Sequence, residues 1–270
     1  MALLVGATVC GCAPGDAGDP GADARDPDDG EPAVICAASN GGPGGDGGSV
    51  LVLLGDDADA AQALAERLED FVDAGPGAGG LGGLGDLGPD AVDGEPGAAD
   101  DALVVIGRPE WSFDASAIDP EWVIDVSENE GTLTLPELSD PPDVVVSELH
   151  VRSGSSLLLS CDARITAERI VVEAGATLGF RSRNRSGCAW TFGGNVPDPG
   201  ARGGVAWLET RSLELHGTLD LSGTGGTAGA PGGAGGSLTL RAETITLFDD
   251  AIIVVAGGTG GDGVAEMPCS

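Results

Sequence analysis

The residues of this chain best suited to chemistry are few, and most lie in its second half. Cys36, Cys161, Cys188 and Cys269 form an even set beyond the first twelve residues. In an exported chain such a set reads as two disulfides, with three pairings open. Cys161 and Cys188 stand about one structural repeat apart and are one candidate pair. No Cys-x-x-Cys spacing or nearby histidine supports a metal site. Arg181, Arg183 and Arg185 alternate, so an extended strand puts them on one face, with Trp190 close behind. Guanidinium groups beside an aromatic ring suit an anionic sugar or an acidic protein surface. Their competing use is to pair with the acidic half of the same chain. His150 and His216 each sit between apolar neighbours that must face inward, so both point outward. Asp249 and Asp250 fall where a strand must turn, and aspartate favours turns. Acid–base work on a glycosidic bond needs two carboxylates facing each other across a cleft, which adjacency does not supply. No cluster of outward charged residues is expected on successive repeats after residue 145, no catalytic residue is assigned, and an enzyme is not expected.

The elements that must carry these residues repeat. Residues 147–159 match 168–180 at an offset of 21, aligning Leu149 with Ile170, Val151 with Val172, Gly154 with Gly175, Leu157 with Leu178 and Leu159 with Phe180. Residues 203–226 match 235–261 at an offset of 32, pairing Leu208 with Leu240 and Leu213 with Ile245, and the offset then drifts to 34. Apolar residues alternate in short runs separated by turns, which is the period of strands with one buried face. A unit of about 20 residues with two or three short strands has the size of one coil of a parallel β-helix, and no such unit buries its inward face alone. The expected fold is all-β: a single-stranded parallel β-helix, or β-solenoid, with Gly-rich loop excursions and one short α-helix. An echo of the repeat at 34–54 and a glycine run at 71–88 predict a further coil-like element in 34–88. Between them, Ala60, Leu64, Leu68 and Phe71 share one face of a helix of about 15 residues from about Asp57 to Asp73. Leu103–Ile106 is a strand candidate in an acidic, Pro-rich connector over 89–144, whose Trp111 and Trp122 are expected to dock on the solenoid.

The pattern over 145–262 resembles the right-handed parallel β-helices of bacterial surface proteins and polysaccharide-processing enzymes, and the handedness is implied by that resemblance alone. At the N-terminus, the apolar run Met1–Val9 is followed by Cys10-Gly11-Cys12. It has the length of a signal-peptide core and is too short to span a bilayer. Val9-Cys10-Gly11-Cys12 resembles the bacterial lipobox, which implies lipidation at Cys12, although no positive residue precedes the run. Gly257-Gly258-Thr259-Gly260-Gly261-Asp262-Gly263-Val264 resembles one nonapeptide of the calcium-binding β-rolls, which would make Asp262 a calcium ligand. Those sites need tandem copies, and this copy is single. Calcium is the one cofactor candidate; otherwise none is expected.

Charge bounds the partners. The chain of 270 residues has a net charge of −32 and neither Lys nor Tyr. Residues 1–150 hold 3 Arg against 32 acidic residues, and residues 151–270 hold 9 against 12. So negative a chain is repelled by nucleic acid and by anionic membranes. Residues 13–33 are nearly all Asp, Gly, Ala and Pro, which predicts a disordered acidic tether. The organisation expected is therefore a signal and lipobox segment (1–12), the tether (13–33), an acidic N-terminal part (34–144) and the β-helix (145–270). The function expected is that of a non-enzymatic lipoprotein, anchored in the bacterial envelope or at the cell surface, or extracellular. Such a protein presents a solenoid for adhesion, envelope structure or partner binding. The alternative is a carbohydrate-binding or lyase-like β-helix. Expected partners are the membrane through the lipid, and glycans or another surface protein.

Overall fold

Where the sequence alternates apolar and polar residues, the chain forms strands. A computed structural model describes residues 35–36, 40–55, 58–81, 92–98, 103–116, 118–120, 123–127, 143–159, 162–182, 190–192, 200–263 and 267–268. The N-terminal elements are β1 (Ile35–Cys36), β2 (Ser49–Leu54), helix α1 (Ala58–Leu68), β3 (Val72–Asp73), β4 (Leu103–Gly107) and β5 (Val123–Val126). The repeats follow as β6 (Asp143–Val151), β7 (Ser156–Leu159), β8 (Ala163–Val172), β9 (Thr177–Phe180) and β10 (Trp190–Phe192). The last elements are β11 (Val205–Leu215), β12 (Thr218–Asp220), β13 (Ser237–Leu247), β14 (Ile252–Val254) and β15 (Met267–Pro268). They build two open sheets, ordered β4-β2-β13-β11-β8-β6-β5 and β10-β7-β9-β12-β14-β3, all parallel except for β10 on β7. A separate antiparallel pair joins β1 to β15.

The register turns like residues into columns. Ile124, Leu149, Ile170, Leu213 and Ile245 stand side by side on successive strands of the larger sheet. Leu157, Leu178, Leu219, Ile253 and Val72 do the same on the smaller one. Residues of both columns belong to one apolar core. The offsets of 21, 32 and 34 read from the sequence are the strand registers themselves. The long strands also bend. Their ladders skip Ser147, Glu168, Arg211 and Glu243, and the inward parity shifts there, from Val144 and Val146 to Leu149 and Val151 in β6. A line of corners therefore runs across the larger sheet.

The described glycine-rich segments run side by side in hydrogen-bonded rows rather than as loop excursions. Gly41, Gly44 and Gly47 donate to the carbonyls of Val92, Glu95 and Ala98, while Gly42, Gly45 and Gly48 donate to those of Gly261, Gly258 and Val255. Partners recur every third residue, the period of a polyproline-II helix, which has no internal hydrogen bonds and must bond sideways. Segments 92–98, 40–48, 230–236 and 200–203 form one parallel row, and 74–81, 255–263 and 222–227 a second; the rows are antiparallel to each other. The first row leads into β4, β2, β13 and β11, and the second leaves β3, β14 and β12. The rows are thus the sheets continued to where the core ends. A Cβ on Gly45 or Gly258 would fall far inside van der Waals contact with the carbonyl oxygen of Gly233 or Thr224. Positive φ does not explain these two glycines, since neither has it.

The expected boundary at residue 145 is overrun at both ends. β5 extends the larger sheet before β6, and β2 stacks on β13, 188 residues later, through Ser49 on Ser237 and Val50 on Leu238. Within 34–88, β2 lies on β13 and β3 on β14. The helix is shorter than expected, 11 residues, but Leu64 and Leu68 enter the core and Ala60 and Phe71 pack against it. Residues 108–116 and 118–120 return along the corner line. Trp111 lies over the guanidinium of Arg241 at 4.3 Å, Phe113 is buried under Arg211 and donates its N–H to Glu243, and Pro120 accepts from Ser147. Trp111 docks as expected; Trp122 lies outside the described residues.

Candidate functional site

Beyond the corner line, alternate residues of β5, β6, β8 and β11 point away from the core and form a grid. It contains Asp125; Glu148 and His150; Arg169 and Val171; and Ser212 and Glu214, with Arg152, Glu173 and His216 in the turns that follow β6, β8 and β11. The expectation of no outward charged cluster fails here. The offset of 21 that aligns the core residues also aligns the polar residues between them, so charge stacks as regularly as leucine does.

The grid is internally paired. Arg152 donates two hydrogen bonds to Asp125, both 2.6 Å. Arg169 donates to Glu214 at 3.0 and 2.8 Å and to Glu148 at 3.2 Å. Nε2 of His150 lies 2.7 Å from Glu173 and Nδ1 lies 3.7 Å from Glu148. The hydrogen bond from Arg152 holds the Asp125 carboxyl below its ordinary range. Glu173 is lowered first by the Ser153 N–H and then by His150, and Glu214 by Arg169. These carboxylates are engaged by arginine or histidine side chains of neighbouring strands and turns. His216 and Phe248 stack with ring centroids 3.4 Å apart, and Phe248 remains 38% exposed beside Asp249 and Asp250. Both histidines point outward, as expected.

The residues singled out in the sequence are scattered. Arg181 is buried; its guanidinium donates to Asp220 at 2.6 Å, to Ser222 at 3.2 Å and to the carbonyls of Phe180 and Asp220. Burial works to raise the Asp220 carboxyl, but Arg181 and Ser222 hold it below its ordinary value. Arg183 and Arg185 lie outside the described residues, and Trp190 falls in β10 opposite Leu159. Cys12, Cys161, Cys188 and Cys269 also lie outside them; Cys36 is in β1, opposite Met267 of β15. Asp262 accepts from the N–H of Leu81 at 2.9 Å, as Asp46 does from Ala98 and Asn40 from Val92, so it caps a donor at the margin of the glycine rows. Among the described residues, no three His, Cys, Asp or Glu side chains are grouped to hold a metal.

Sequence reasoning missed Asp125, Glu148, Glu173, Glu214, Asp220 and Phe248. The signal was available for Glu148 and Arg169, which the offset of 21 superposes. No family model matches the chain, and neither a curated protein nor a solved structure matches it. Among the described residues no helix is long and apolar enough to cross a membrane.

Proposed function

We propose that this chain is a non-enzymatic exported lipoprotein whose body is a parallel β-solenoid, used at the bacterial envelope for adhesion, structure or partner binding. In-register columns, corners aligned on successive strands and a helix over one end of the core support the solenoid reading. The lipobox-like Cys12 and the acidic stretch behind it support export and anchoring. The observation that carries the non-enzymatic reading is that the clustered carboxylates face arginine and histidine on adjacent strands rather than each other. Mass spectrometry of the N-terminus after expression in a bacterial host tests the anchoring. Diacylglyceryl on Cys12 is the expected result, and an unmodified, uncleaved N-terminus defeats it.

The carbohydrate-binding reading keeps one observation in its favour, the exposed Phe248 stacked on His216 with two carboxylates alongside. An aromatic face beside hydrogen-bonding groups is a workable sugar platform. A glycan array separates the two readings: binding lost in Phe248→Ala, with Arg183→Ala as the comparison, selects this one.

A further inference from the structure

The margin of the glycine rows repeats one contact three times. Asn40 accepts from the N–H of Val92 at 3.0 Å, and the next residue, Gly41, donates to the carbonyl of the same Val92 at 3.0 Å. Asp46 and Gly47 grip Ala98 in the same way at 2.7 and 3.0 Å. Asp262 and Gly263 grip Leu81 at 2.9 and 2.6 Å. Each is a two-point clamp: a side-chain oxygen takes the N–H of one residue in the neighbouring segment, and a glycine N–H takes its carbonyl. Asn40 differs from the two aspartates in its chemistry. Its amide can lose ammonia, whereas an ionised carboxylate is a poor target for an attacking nitrogen. Asn40-Gly41 is the single Asn-Gly step in the chain.

An Asn-Gly step that is free to move reacts with itself. Solvent base removes the proton from the glycine nitrogen, which attacks Cγ of the asparagine. The new N–C bond closes a five-membered succinimide, and ammonia leaves from Cγ. Water then opens the ring at either carbonyl, giving aspartate or, where the main chain now runs through the former side chain, iso-aspartate. Glycine permits the turn that the ring demands because it has no side chain to obstruct it. In the folded protein Asn40 is exposed, so burial does not protect it. The clamp does. The Gly41 N–H is committed to Val92, and the Gly41 Cα lies so close to the Gly80 carbonyl that a Cβ would not fit. The Gly41 peptide therefore cannot turn towards Cγ while the rows are closed. We propose that Asn40 is a deamidation site gated by the glycine rows: it reacts in molecules whose 40–48 segment has come away from 92–98 and stays intact in the rest. Iso-aspartate at position 40 draws the former Cγ carbonyl into the main chain and takes the side-chain acceptor away from the Val92 N–H. The mark is permanent, and it leaves that clamp with one point of contact.

The test incubates the full chain in mildly alkaline buffer, with and without enough urea to unfold it, and follows the loss of Asn40 by peptide mass mapping. A reaction that needs an open state is slowed by the fraction of time spent open, so the folded chain should lose Asn40 at least about tenfold more slowly than the unfolded one. Asp46→Ala breaks the second clamp on the same two segments and leaves the Asn40-Gly41 step itself untouched. It should speed the loss at least about threefold in the folded chain and not at all in urea. Leu213→Ala weakens the aliphatic core instead of the rows and should leave the folded rate unchanged. Equal rates in the folded and unfolded chains overturn the proposal. So does an Asp46→Ala chain that reacts no faster than wild type, or a Leu213→Ala chain accelerated as much as Asp46→Ala, which would place the gate in global unfolding.

Discussion

The same layers of chain are bonded in two ways along their length. Over the aliphatic columns the two sheets are held apart by leucine, isoleucine and valine, and their cohesion is non-directional burial. Over the glycine rows the side chains vanish, the layers close to backbone contact, and hydrogen bonds between rows take over. An apolar core tolerates changes of shape at a graded cost, because neighbours relax partway. A contact between a glycine Cα and a peptide carbonyl has nothing that can rotate away. The two regions should therefore fail differently under substitution.

The largest effect is expected from the smallest change. Gly258→Ala sets a methyl group against the Thr224 carbonyl and forces the rows apart, at more than about 3 kcal/mol, the upper part of the overpacking range. Leu213→Ala removes three carbons from the fully buried middle of a column and should cost about 3 kcal/mol. Urea midpoints for both variants check the comparison, and a Gly258→Ala chain as stable as wild type would refute the account of the rows. Acid distinguishes a third kind of bond. The Asp220 carboxyl lies below its ordinary value of 3.8 when folded, so it stabilises above that pH and its contribution is lost as pH falls through the lower folded value. Asp220→Asn should be destabilised at pH 7, and the gap to wild type should close as the pH falls well below 3.8, while general relief of charge repulsion affects both chains alike. The smallest effect sharpens the first. Gly175 has φ +72° and open space around its Cβ position, so Gly175→Ala strains only the backbone, by about 1 kcal/mol.

What could be read beforehand followed from repetition. Aligned leucines gave the registers of β6 on β8 and β11 on β13 because inward positions are constrained by the same core. Two features stayed hidden for a shared reason: they depend on partners distant in sequence. Gly-Gly-Pro-Gly-Gly-Asp-Gly-Gly at 41–48 carries a period of three, yet a lone polyproline-II segment has no bond to reveal its neighbours. The placement of β2 on β13 rests on a short Gly-Gly-Ser-apolar echo, visible in the sequence without saying which side it joins. In the arginine segment, the acidic partner expected for Arg181 in the N-terminal half is instead Asp220, on the adjacent strand.

The docking of 40–54 against 235–261 bears on how such a molecule is made. Residues 40–54 find β4 and 92–98 early on one side, but their partners on the other side come only at 235–261, so both flanks of that layer are filled only once those residues have been made. The docking also ties two distant stretches together: proteolytic loss of 255–263 would leave Gly42, Gly45 and Gly48 without their hydrogen-bond acceptors.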